Sequence, residues 1–217
     1  MVSTAICGVA IPDSKIAREA TELLRDASSE LLFVHSVRVY FWAALAGRRK
    51  AFKYDPELLY VGAMFHDLGL TPGFHSSQLR FEVDGADAAR TFLRGHGIAE
   101  SDIEKVWMAI ALHTTPGIPQ FLQPEIALLH AAAGMDVAGR NYSEFSDQER
   151  DAVTALYPRG TDFEAEMIDE FNAGLKHRPA STFGTLNADY LACRNESFVR
   201  GDICTVMQNS PWKQCRH

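Results

Sequence analysis

The sequence predicts an all-α fold, a bundle of about seven or eight helices followed by an irregular C-terminal tail. Three observations carry this expectation. Apolar residues recur at helical spacing along most of the chain, cap-forming residues stand where each run begins, and strict apolar/polar alternation survives only weakly at 203–207, too little for a large sheet. The expected organisation is one domain over 1–217, with a helical core at about 13–178 and the tail, 179–217, packed on the bundle.

From the N-terminus, Asp13 and Ser14 precede Ile16, Ala20, Leu23, Leu24 and Ala27, which share one helical face. Ser28 or Ser29 opens a second helix that is apolar on nearly every side over 31–46 and that Gly47 closes; a helix of this kind belongs in a core. Asp55, Pro56 and Glu57 supply a cap, a first-turn proline and an acid for the third helix, with Gly69 just past its end. A fourth helix is expected at about 81–94. Three later starts carry the S/T-x-x-E capping box: Ser101 with Glu104, Ser146 with Glu149 and Thr161 with Glu164. A very apolar helix is expected over 124–139, and from Pro179 onward Gly184, Asn187, Gly201, Asn209 and Pro211 break the pattern.

Composition narrows the function. The 217 residues are 47% hydrophobic and 23% charged, which suits a packed globular chain and excludes dominant disorder. A net charge of −7 without a Lys/Arg-rich block gives no broad positive field for nucleic acid or an anionic membrane. Cys7, Cys193, Cys204 and Cys215 form no CxxC pair, so neither a zinc knuckle nor a disulfide framework is indicated and a reducing cytoplasm is expected. The longest apolar stretch falls short of the roughly 18 to 20 residues of a bilayer span, and the first residues lack the order of a secretory leader. A small-molecule substrate is therefore expected, without nucleic acid or membrane, and homodimerisation through an apolar helix face stays open.

Polar residues inside apolar helices mark the candidate site. His35 lies deep in the second helix, and Asp136 sits among Leu128, Leu129, Ala132, Ala133, Met135 and Val137. A buried unpaired carboxylate costs several kcal/mol or more, so something must neutralise Asp136. His66 and Asp67 close the third helix, where two adjacent side chains can reach one centre only near a helix end. One divalent cation held by His35, His66, Asp67 and Asp136 accounts for all four; Zn2+ is the first candidate, with Fe2+, Mn2+, Co2+ and Ni2+ compatible with the same ligands. The competing reading treats the four as separate buried hydrogen-bonding groups, with Arg38 as the counter-charge of Asp136.

The order His35, then His66-Asp67 thirty-one residues on, then Asp136, all on helices, resembles the HD-domain superfamily of metal-dependent hydrolases. Within it the chain is similar to the cyanamide-hydratase-like branch through His35-Ser36, Arg38-Val39-Tyr40, His66-Asp67-Leu68-Gly69, Arg80 to Gly85 and Ala111-Leu112-His113. That resemblance implies one metal ion, usually zinc, and addition of water to a cyanamide-type C≡N group, giving urea. Leu70-Thr71 and Val83-Asp84 depart from the residues of the fungal-type enzymes. Dinuclear members carry a histidine where this chain has Phe81, which favours a single ion. Three other readings remain: an HD-type phosphohydrolase of nucleotides or phosphate esters, an HD-type iron oxygenase, and a metal-stabilised binding or regulatory module.

The hydration chemistry assigns roles. An ion with an open position brings the pKa of water to about 7, and attack on the nitrile carbon leaves charge on nitrogen that needs a proton donor. His113, at the inner end of its helix, is the expected donor, against a reading as a simple helix cap. Glu82 is expected to orient water or a substrate amine, against an exposed first-turn acid, and Arg38 to pair with Asp67 or Asp136. His75 is expected in the Pro72–Ser76 loop, His96 at a helix end, His130 in the core or an interface, His177 at a basic helix end and His217 at the terminus. Phe41, Trp42 and Trp107 are expected in the core.

Overall fold

The computed structural model describes residues 5–75 and 78–212; Ser76, Cys215 and His217 lie outside the described residues. The described part is helical, with α1 (Lys15–Ala27), α2 (Glu30–Arg49), α3 (Pro56–Phe65), α4 (Phe81–Gly95), α5 (Glu100–Leu112), α6 (Pro124–Ala138), α7 (Asp147–Leu156), α8 (Phe163–Leu175), α9 (Asn187–Arg194) and α10 (Ile203–Gln208). No strand occurs among the described residues. The all-α class therefore stands; the count exceeds seven or eight because the tail holds two short helices, α9 and α10. Too short for a periodic signal, they read from sequence as irregular chain.

The expected centre of the core is correct. Every residue from His35 to Gly47 of α2 is buried, and α2 packs against α3, α6 and α8. Ser14, Ser29 and Asp55 cap α1, α2 and α3 by accepting backbone N–H bonds. Gly139, at φ 65°, closes α6 in the left-handed conformation that glycine adopts without strain. Gly47 does not close α2, which runs on to Arg49; at Gly47 the Tyr54 ring stands where a Cβ would be.

Two of the three capping boxes are corrected. Only Ser146 and Glu149 form one, at the start of α7. Gly97, at φ 71°, turns the chain so tightly after α4 that α5 starts at Glu100 and Ser101 is already inside its first turn. Helix α8 starts at Phe163, with Asp162 in the cap position, so Thr161 lies outside it.

Two glycines set the place of α4. A Cβ on Gly69 would stand 2.0 Å from the Phe81 carbonyl oxygen, and one on Gly85 would stand 2.6 Å from that of Phe65. Without side chains at these points, the start of α4 rests on the turn that follows His66 and Asp67. Arg178, next to His177, is buried and locks this contact from the far side. It donates to the Gly69 carbonyl (2.6 Å) and the Leu79 carbonyl (3.1 Å), and it pairs with Asp84. A second apolar cluster, with Phe81, Phe163, Phe171, Leu175 and Leu191, ties α8 and α9 to the bundle. No helix among the described residues is long and apolar enough to cross a membrane.

Candidate metal centre

Helical geometry builds the first half of the centre. His35, Arg38 and Trp42 stand at i, i+3 and i+7 on one face of α2, and that face meets Asp136 of α6. Arg38 grips the Asp136 carboxylate with two hydrogen bonds, Nε to Oδ1 and Nη2 to Oδ2, both 2.8 Å. Trp42 Nε1 donates to Oδ1 at 2.7 Å, and His35 Nδ1 donates to Oδ2 at 2.7 Å. Burial opposes the charge on Asp136, but His35 and Arg38 together hold its carboxyl far below the usual carboxylate range. The neutralising partner that Asp136 requires is thus Arg38, one turn along from His35.

The second half comes from two helix ends. His66 caps α3 and Asp67 opens the 3-10 turn Leu68–Leu70, which sends both side chains toward His35. His113 caps α5. The His66 Nδ1 meets the Ala63 carbonyl at 2.7 Å, and the His113 Nδ1 meets the Ile110 carbonyl at 2.7 Å. A carbonyl only accepts, so Nδ1 carries the proton in both rings. His35 is fixed likewise by Asp136. The far nitrogen, Nε2, is left to face the centre, and in the neutral form of each ring it bears the lone pair.

Those lone pairs converge. His35 Nε2 and His66 Nε2 lie 3.1 Å apart; Asp67 Oδ2 is 3.2 Å from His66 Nε2 and 3.4 Å from His35 Nε2. His113 Nε2 is 3.4 Å from Asp67 Oδ1. Neither Asp67 oxygen receives a hydrogen bond, although the residue is 2% exposed. Burial would raise the Asp67 carboxyl, yet His66, His113 and His35 hold it well below its ordinary range. Burial pushes His66 down. It acts on His35 the same way, but the Asp136 and Asp67 carboxylates outweigh it and raise that imidazole.

Buried lone pairs of several Lewis bases facing one point are costly unless a cation sits among them. Nitrogen and carboxylate donors suit a divalent transition ion, and His35, His66 and Asp67 offer ligand atoms that all lie within 4.8 Å of one another, a group that could hold one. Asp136, expected as the fourth ligand, stands outside this group, with both oxygens engaged by Arg38, Trp42 and His35.

A cavity of about 100 Å3 opens on this group, lined also by Thr114, His130, Phe171, Asn187 and Tyr190. Glu82 lies beside it and is fully buried, so the reading as an exposed acid fails. Arg80 Nη2 (2.6 Å), Asn187 Nδ2 (2.9 Å) and the Thr114 hydroxyl all donate to Glu82 Oε1. Burial opposes its charge, while Arg80, with Thr114, keeps the carboxyl below its usual value. His130 is half-buried and bonds the His113 carbonyl through Nδ1 (2.7 Å), and His96 caps α4 against Glu19. His75 and His177 pack against each other with tilted rings, 4.2 Å between centroids, and neither lines this cavity. Trp42, Thr114, Arg178 and Asn187 are site residues that sequence reasoning missed; their partners lie far along the chain, and the local signal was Trp42 at helical spacing from His35.

The family model for the HD domain matches residues 32–168. That span holds His35, His66, Asp67, His113 and Asp136 and covers more than half of the chain, which therefore belongs to the HD-domain family, whose members are generally metal-dependent hydrolases. No curated protein matches the chain.

Proposed function

We propose that this chain is a metal-dependent hydratase or hydrolase of the cyanamide-hydratase-like branch, adding water to a cyanamide- or nitrile-like C≡N group. The carrying observation is the cavity. At about 100 Å3 it is well under the roughly 300–1,000 Å3 of sites that hold drug-sized ligands, so it suits a compact neutral molecule better than a nucleotide. The proposed ligands are His35, His66 and Asp67, with His113 as the fourth, since its Nδ1 is taken by the Ile110 carbonyl and its Nε2 faces Asp67. Asp136 acts through His35, fixing its tautomer and ring orientation. Zn2+ is the proposed ion, and when bound it supplies the Lewis acidity that activates water near neutral pH.

Water addition is proton-neutral: oxygen bonds to the nitrile carbon, one C–N π bond breaks, and the proton that water loses is the one nitrogen gains. The Thr114 hydroxyl lines the cavity and is tethered to Glu82, which places it to pass that proton. Arg80 and Asn187 hold Glu82 in position. Phe171, Ala133 and Val137 give the cavity an apolar wall.

The test is incubation of zinc-loaded protein with cyanamide, simple nitriles and isonitriles, and a nucleotide panel. Urea or amide formation is the expected result; phosphate release without either would overturn the reading. Metal content checks the ligand set: Asp67→Asn and His113→Ala should lose stoichiometric zinc, and Asp136→Asn should retain it with weakened affinity.

A further inference from the structure

We propose that Asn187 is a specificity-determining residue whose side-chain carbonyl accepts a hydrogen bond from an N–H group of the substrate. Asn187 begins α9, beyond the residues 32–168 that match the HD family. Its side chain nevertheless reaches back to the cavity of the metal centre and is 2% exposed.

The orientation of its amide follows from its neighbour. The Glu82 carboxylate can only accept, so the amide group 2.9 Å from Glu82 Oε1 is the NH2 end. The carbonyl Oδ1 must then lie on the other side. Oδ1 is buried and has no hydrogen-bond partner. A buried acceptor left unpaired is unfavourable and rare and calls for a partner; beside the cavity of the metal centre a bound ligand is the partner that would satisfy it. The acceptor therefore selects the ligand's chemistry. An amine or amide N–H satisfies it. A plain nitrile offers no donor, and an ionised phosphate brings only acceptor oxygens, whose lone pairs repel that of Oδ1. The substrate class this names is a small neutral molecule with at least one N–H, such as a cyanamide or a primary amide.

The inference rests on the centre being the substrate site and not on the reaction performed there. Titrations of the zinc-loaded full chain with formamide, N,N-dimethylformamide and acetonitrile, followed by protein NMR shifts, test it without turnover. Asn187→Ala and the near-isosteric Asn187→Leu, each checked for native unfolding behaviour, are compared with the parent protein. Loss of one neutral hydrogen bond should weaken formamide roughly tenfold in both variants, leaving the two ligands without N–H within about twofold. Equal weakening of all three ligands, no change in any, or no formamide binding to the parent protein would overturn the proposal. Should cyanamide prove inert while the formamide pattern holds, the hydratase reading fails and the role of Asn187 survives. Hydration of cyanamide without that pattern would uphold the hydratase reading and remove the role of Asn187.

Discussion

Glu82 is fully buried with one cation and two neutral donors around it, and this single side chain links stability to chemistry. Its folded pKa lies below its ordinary value, burial being outweighed by Arg80. Between the folded and unfolded pKa values the unfolded chain holds more protons, so stability rises with pH there. The contribution is complete above the unfolded value of about 4.3 and is lost as pH falls through the folded one. Glu82→Gln should therefore show lower stability at pH 7 and a shallower acid limb; urea unfolding from pH 3 to 7 reads both. On the proposed function, turnover should also fall, by about 10²-fold, with zinc content unchanged, because Glu82 is outside the group that could hold a metal and bonds Thr114 and Asn187 at the cavity. At this scale much of the site is legible in the sequence. His35 and the His66-Asp67 pair stand out as polar groups that an apolar helix does not need, and Asp136 announces that a partner must exist. Which partner it is depends on how α2 and α6 cross, and so the sequence alone leaves Arg38 and a metal ion as rivals. Asn187 carries no local signal, since its meaning comes from Glu82, 105 residues away in the chain.

Elements show why sequence patterns locate helices well and their ends less well. The same S/T-x-x-E pattern occurs three times, yet only Ser146 and Glu149 bond reciprocally, Glu149 Oε2 accepting from the Ser146 backbone N–H at 2.8 Å and Ser146 Oγ accepting from the Glu149 N–H at 3.2 Å. Ser146→Ala should cost about 1 kcal/mol of stability, whereas Ser101→Ala, at an exposed position inside α5, should change it by less than about 0.5 kcal/mol; paired denaturant melts separate the two. Tertiary demands override the local motif. The turn at Gly97 fixes where α5 begins, and Phe163 starts α8 where its ring lies under the Arg159 and Arg38 guanidinium groups, at 3.8 and 5.0 Å. The long apolar helices α2 and α6 were legible because burial on all sides leaves a continuous apolar record. Arg178 was not. Its value comes from joining the end of α8 to Asp84 and to the Gly69 turn, and Arg178→Ala, which takes the guanidinium away from a buried carboxylate, should destabilise by about 3 kcal/mol.

For the molecule as a whole, a metal held at this centre would tie folding to metal binding. α2, α3 and α5 each point an imidazole Nε2 at the Asp67 carboxylate, so with the three rings in their neutral form a cation is what would join these separate helices at one point. An ion that binds only the folded chain stabilises it by an amount that grows with the logarithm of saturation, about 4 kcal/mol at a thousandfold excess over Kd. For a chain of this size, about 1 kcal/mol shifts the melting midpoint by roughly 2–4 °C. Chelation should thus lower the midpoint by on the order of 10 °C, and stoichiometric Zn2+ should restore it. Mg2+ should not, because it prefers near-octahedral oxygen ligands and gives up water reluctantly, whereas nitrogen dominates this donor set. The Asp67→Asn chain supplies the control: with the carboxylate gone, its midpoint should be nearly indifferent to chelator and to zinc. If the parent protein melts at the same temperature with and without metal, the converging lone pairs are a tolerated packing feature and the metal centre falls, taking the hydratase reading with it.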